Sequence, residues 1–283
     1  MRIDSHQHFF DLDRLSYPWM PPAPSPLLQN YLPQNLKPVL DRNHFDGSIA
    51  VQATTQPEEA DWLLSLAGEN AFILGVVAWV DLTSPQLGHV LDHLQRHPKF
   101  KGVRHPVHDE PDDRWLLRSN VLTGLRELER RGIPYDLLLR PKHLGIIPEL
   151  VELVPDLPMV IDHIAKPMIA QRVINGWAED MGRIATIPHI YVKLSGMITE
   201  ANPATWSADD LRPYIRLILN LFGPDRLMFG SDWPVCLLAG SWKEVLAAFT
   251  QALGAQSIEM REKLLGDNAY NFYRLSNSKP EKH

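Results

Sequence analysis

The feature that most constrains this chain is an alternation: eight short apolar runs, most of them followed by a stretch of helical periodicity. The runs are RIDSHQHF near residue 2, FDGSIAVQA near 45, FILGVVAWVDL near 72, FKGVRHPV near 100, IPYDLLLR near 133, PMVIDHIAKP near 158, IYVKLSG near 190 and RLMFGSDWPV near 226. Between most of them lie PEEADWLLSLAGEN, SPQLGHVLDHLQRH, SNVLTGLRELERRG, HLGIIPELVELVP and SADDLRPYIRLILNLFG, whose apolar residues recur three and four apart as an amphipathic helix demands. ERRGIP and LFGPDR each close a helix with Gly and reach the next strand after Pro. Strands alternating with helices imply a parallel sheet. Eight such units on 283 residues are the arithmetic of a (β/α)8 TIM barrel, which at this length runs as one domain. We therefore expect an α/β chain whose residues 1–283 form a single barrel domain; an open doubly wound sheet is the competing architecture. The segment DLDRLSYPWMPPAPSPLLQNYLP, rich in proline and aromatics, must be a long ordered loop after the first strand, and the closing SNSKPEKH reads as a frayed tail.

Charge and composition narrow the partners. A net charge of -6 with no long basic run argues against nucleic acid, because affinity for a phosphate backbone comes from clustered Lys and Arg. No stretch approaches the roughly 18 consecutive apolar residues of a membrane span. The first residues lack a basic segment followed by an apolar one, so no secretory signal is expected and the cytoplasm is the default compartment. One cysteine, Cys236, allows no internal disulfide.

In a barrel the chemistry gathers at the C-terminal strand ends, where the βα loops meet. Those ends carry His6 and His8 on the first strand, Gln52 on the second, Trp79 and Asp81 on the third, and Arg104, His105 and His108 on the fourth. Arg140 ends the fifth; Asp162 and His163 end the sixth with Lys166 beyond; Lys193 and Ser195 end the seventh, and Ser231 and Asp232 the eighth. Any one of these is more often a hydrogen-bonded structural residue than a ligand, but buried polar groups are costly unless paired, so a whole ring of them points to a site. His6 and His8 alternate with Gln7 and project to one face, where two neutral imidazoles can chelate a divalent metal. Barrel closure makes the first and eighth strands neighbours, so Asp232 can complete the site. Its plain role would be to cap the turn after GSD; its chemical role would be to hold the metal and take a proton from a water whose pKa a bound Zn2+ lowers to about 7. His163 would be a further ligand or a donor to a developing oxyanion.

The HxH of IDSHQHF, the DHIAKP segment and the FGSDWPV segment, in that order along a barrel, resemble the amidohydrolase superfamily. More narrowly, KGVRHPVHDEPDDRWL, DHIAKP and GSDWPVCLLAGSW resemble its branch of sugar-lactone hydrolases, of the L-fuconolactonase and L-rhamnonolactonase type. The resemblance covers nearly the whole chain and implies hydrolysis of a small-molecule sugar lactone, an aldonolactone opened to its free acid. It implies a single divalent metal, zinc first, on His6, His8 and Asp232, although some members of this branch work without one. Arg104, His105 and His163 would polarise the carbonyl or hold the substrate. Gln52, His108 and Lys193 would bind sugar hydroxyls, with Trp79 and Trp233 offering flat faces to the ring. Binuclear members bridge two metals with a carboxylated lysine or a glutamate from the fourth or fifth strand. Here the fifth strand ends in Arg140, so at most one metal is expected, and Glu110 is at least as readily part of a solvated acidic loop as a ligand. A homo-oligomer is compatible with this reading. Its rivals are a decarboxylase of the same superfamily and a non-catalytic barrel that binds a small ligand; a serine hydrolase is disfavoured because no GxSxG elbow is present.

Overall fold

The computed structural model describes residues 1–276; residues 277–283, which make up all but the first residue of the expected tail, lie outside the described residues. Eight strands, β1 (Ile3–Gln7), β2 (Gly47–Val51), β3 (Ile73–Ala78), β4 (Phe100–His105), β5 (Tyr135–Leu137), β6 (Met159–Ile161), β7 (Ile190–Leu194) and β8 (Leu227–Phe229), coincide with the eight apolar runs. They pair in sequence order and all in parallel, forming one sheet. The first and last strands meet at their upper ends through a bridge between Gln7 and Trp233, where His8 N donates to Trp233 O (2.7 Å) and Asp232 N donates to His6 O (2.8 Å). The sheet is thus a (β/α)8 barrel, and an open sheet is ruled out by that closure.

The helices α1 (Pro33–Arg42), α2 (Glu58–Glu69), α3 (Leu87–Leu94), α4 (Ser119–Arg131), α5 (Ile147–Leu153) and α6 (Trp177–Ala185), the single turn α7 (Met197–Glu200), and α8 (Ala208–Phe222), α9 (Trp242–Leu253), α10 (Ile258–Glu262) and α11 (Asn268–Phe272) wrap the sheet. In α4, Val121, Leu122, Leu125 and Leu128 fall on one face and are buried, while Gly132 takes the left-handed C-cap conformation (φ 63°) that ends the helix. Truncating a fully buried residue such as Leu125 to Ala would cost about 2–5 kcal/mol. Inside the barrel, Ile3, Ile49, Val51, Val77, Val160 and Met228 form a separate apolar cluster, joined by Phe272, Tyr273 and Leu275 from the end of α11 and the residues after it. That cluster is the floor on which the polar mouth rests. The expected long loop is ordered: Phe10 pairs with Tyr31 across it, and Phe10, Tyr17, Trp19 and Tyr31 pack ring against ring. Among the described residues, no helix is long and apolar enough to cross a membrane.

Candidate active site

The bonds that close the barrel also assemble the site. Asp4, fully buried, accepts from the Ser231 amide (2.8 Å), the Ser231 hydroxyl (2.5 Å) and the Trp242 indole (2.8 Å), stitching β1 to the segment after β8. Burial pushes its carboxyl up to about 6. Pairing with β2 slips between Asp4 and Gln7, and both His6 and His8 then face the mouth. Gly230 makes room for His6: a Cβ there would lie 2.7 Å from the His6 Cβ and 3.0 Å from that of Ser195. Asp232 is held in the left-handed region (φ 58°), which aims its carboxylate at both histidines.

His6 Nε2 and His8 Nε2 are 3.2 Å apart, and Asp232 Oδ1 lies 3.8 Å from the first and 3.3 Å from the second. Three ligands of a tetrahedral zinc, each about 2.0–2.1 Å from the ion, would stand about 3.3 Å from one another, so the residues fit such an ion. Hydrogen bonding argues the same way. His8 Nδ1 donates to the Val51 carbonyl at 2.8 Å, which leaves the lone pair of a neutral His8 on Nε2, facing the Asp232 carboxylate. Two acceptors face each other there, and a cation or a proton must lie between them.

His163 joins from the sixth strand by an unusual turn. His163, Ile164, Ala165 and Lys166 all have positive φ, from 48° to 60°, a conformation that costs an L-residue about 1–2 kcal/mol. The surroundings hold it: His163 Nδ1 is 2.9 Å from Ser195 Oγ, Trp177 donates to the Ile164 carbonyl at 2.8 Å, and Lys166 pairs with Glu200 at 2.6 Å. Gly196 is needed for the same reason, since a Cβ there would stand 2.5 Å from His163 Nδ1. His163 Nε2 lies 3.9 Å from Asp232 Oδ1. Burial drives His6 and His163 well below the usual histidine range. Burial would raise Asp232, but the imidazoles of His163 and His8 outweigh it and hold the carboxyl below its ordinary value.

Arg104 spans the mouth. Its Nη1 donates to Asp162 Oδ2 at 3.0 Å and lies 3.3 Å from His6 Nε2, while Nε and Nη2 donate to Gln52 Oε1 at 3.1 and 2.7 Å, and Nη2 also reaches the Gln52 carbonyl. Above these groups opens a cavity of about 740 Å³. His8, Gln52, Arg104, His108, His163 and Asp232 line it, together with Arg140 and Lys166. His108 is pushed down to about 3 by burial and then by the nearby Lys166, Arg140 and Arg104, so it is a neutral hydrogen-bonding group in a cationic wall.

Five of the sequence-derived candidates stand elsewhere. His105 points out of the barrel because successive strand residues face opposite ways and Arg104 takes the inner side. It stacks on Trp115 (centroids 4.1 Å apart), accepts from Trp79 Nε1 at 3.0 Å and bonds Glu110 at 2.7 Å, which also removes Glu110 and Trp79 from the cavity. Trp233 is buried against Phe9 and Tyr31 and offers no face to a ligand. Lys193 lies beneath His6, fully buried and paired with carboxylates, out of reach of a sugar hydroxyl. The aromatic wall comes instead from Trp19, anchored by its Nε1 to the Ala53 carbonyl (2.6 Å); the proline and aromatic content of its loop was the available signal. Thr54, Thr55 and Leu138 are further cavity residues without a cue in the sequence.

A family model described as amidohydrolase matches residues 3–275. An L-fucono-1,5-lactonase of Burkholderia ambifaria is 34% identical over 100% of this chain and 98% of its own length. An L-fucono-1,5-lactonase of Burkholderia multivorans is 36% identical over 97% of this chain and 96% of its own. Among solved structures, an amidohydrolase from Burkholderia multivorans with bound zinc superposes with a TM-score of 0.92 at 35% identity, covering 98% of this chain and 100% of that one.

Proposed function

This chain belongs to the amidohydrolase family, and from that premise we propose that it hydrolyses the ring ester of a sugar-acid lactone, L-fucono-1,5-lactone or a related six-carbon aldonolactone, to the open-chain acid. The observation that carries the reading is Asp232: a carboxylate held below its ordinary value beside His6, His8 and His163, at the base of a cavity large enough for one sugar ring. The full-length similarity to two L-fucono-1,5-lactonases gives the substrate class.

His6, His8 and Asp232 would hold one divalent ion, zinc first. Such an ion supplies Lewis acidity and a more acidic water. Asp232 accepts the proton of the attacking water as its oxygen bonds to the lactone carbonyl carbon. Arg104 and His163, both at the cavity wall, donate to the oxygen on which negative charge grows, where fixed donors in a water-poor site act most strongly. The ring C–O bond then breaks, and the leaving oxygen takes the proton that Asp232 holds. The new carboxylic acid ionises, so each turnover releases one proton. His108, Gln52 and Trp19 contact the hydroxyls and the apolar side of the ring.

The test is a panel of aldonolactones in weak buffer with a pH indicator, with and without added Zn2+ or Mn2+. Proton release well above spontaneous opening, without release of carbon dioxide, is expected for at least one six-carbon lactone. Background rates across the panel would sink the proposal, and carbon dioxide from an aromatic acid would favour the decarboxylase.

A further inference from the structure

Below the mouth lies a second set of donors, His6, Asp162 and His163, whose ligating atoms are all within 4.8 Å of one another. A lysine stands against two of its three members, Asp162 and His6. Lys193 projects from β7 into the barrel with no solvent exposure, and its Nζ stands 2.5 Å from Asp136 Oδ2, 3.0 Å from Asp162 Oδ1 and 3.2 Å from His6 Nδ1. The two carboxylates are otherwise held by Tyr273, whose hydroxyl donates to Asp136 at 2.8 Å, and by Arg104 on Asp162. Two buried carboxylates this close to one ammonium cannot both remain ionised without it.

We infer that Lys193 is the resident second cation of this site: its ammonium occupies the ground between Asp136, Asp162 and His6 that a metal ion would take, and so limits the chain to one metal ion. A metal at this set would need the Asp162 oxygen and the His6 nitrogen at about 2.0–2.2 Å. The lysine nitrogen already fills the space against both atoms. A divalent ion added beside Lys193 and Arg104 would also meet two fixed positive charges in a medium that screens them poorly. Lys193 is in this sense a positioning residue: it keeps Asp162 and His6 in place from below, whatever occupies the upper set.

The variant Lys193→Met keeps the length and removes the charge, leaving two carboxylates and an imidazole around a gap. Equilibrium dialysis against Zn2+ or Co2+ should show no more than one ion per wild-type chain, one ion more for Lys193→Met than for wild type, and the wild-type number for Lys193→Arg. The added ion should disappear in Lys193→Met with Asp162→Asn, and it should raise the Tm of Lys193→Met but not of the wild type. A wild-type chain that takes two ions, or a folded Lys193→Met that binds no more than wild type, overturns the inference. Should Lys193→Met fail to fold alone, Lys193→Met with Asp136→Asn removes one stranded charge and is read the same way. The ion count needs no substrate, so failure of the lactone reading and failure of this one are distinguishable.

Discussion

Arg104 and His105 are adjacent in sequence at the end of β4, and the barrel wall passes between them. Arg104 faces in, bonded to Asp162 and Gln52 at the cavity base. His105 faces out, stacked on Trp115 and bonded to Trp79 and Glu110. Both are partly or fully buried ionisable residues at a strand end, and sequence position does not separate them. The difference teaches that a strand-end polar residue carries chemistry only if the pleat turns it inward; on the outer side the same residue type holds a loop to the barrel. Substitutions should therefore separate the two sides.

Within this comparison the largest effect is expected for Arg104→Ala, which removes a donor from the cavity and leaves Lys193 as the cation on Asp162. kcat/KM should fall by about 10²–10³-fold, and urea denaturation should show a stability loss of about 1.5–3 kcal/mol, that of a hydrogen bond to a charged group. An activity within a few fold of wild type would place the reacting centre elsewhere. Next comes Gly196→Ala, which touches no substrate but pushes a Cβ against His163 in a left-handed position. It should reduce kcat by about 10²-fold through displacement of His163, and a crystal structure with His163 unmoved would contradict that account. His105→Gln, on the outer side, should leave kcat/KM within about threefold while lowering stability by the ~1 kcal/mol of a lost hydrogen bond. A loss comparable to that of Arg104→Ala would erase the distinction between the two faces.

The smallest effect concerns Glu59, buried at the start of α2, which accepts from the amides of Ala53 and Thr54 (2.9 and 3.2 Å) and so fixes the loop that lines the cavity. Burial raises its carboxyl from 4.5 to about 8, so the folded chain holds a proton there that the unfolded chain loses. Its contribution to stability is therefore complete below pH 4.5 and is lost as pH rises toward 8. Between those values the Tm of the wild type should fall more steeply than that of Glu59→Gln, and parallel Tm curves would show that Glu59 does not titrate with folding.

Much of this molecule is legible in its sequence, and the residues show where legibility ends. The eight strands follow from apolar runs, and barrel closure brings His6, His8 and Asp232 together as the adjacency of the first and eighth strands implied. Helix α1 is hard to see because Pro38 interrupts it, whereas α9 opens on a Ser241–Glu244 capping box that was there to be read. Facing is less accessible: the outward turn of His105 depends on the register of one strand, and the burial of Trp233 on a loop that folds back across the mouth to place Tyr31 against it. Asp136 in YDLLL and Lys193 in YVKL are charges inside apolar strands, so a buried partner could be expected, but not which one. The left-handed turn from His163 to Lys166 has no glycine to announce it.

The most direct test of the central claim is the rate of proton release from L-fucono-1,5-lactone by the wild type and by Asp232→Asn, each checked for a native circular dichroism spectrum. Wild-type turnover with a loss of about 10³-fold or more in the variant is the result predicted for a carboxylate that takes the water's proton. Equal rates in the two proteins would contradict it, because hydrolysis would then proceed without the group on which this site is built.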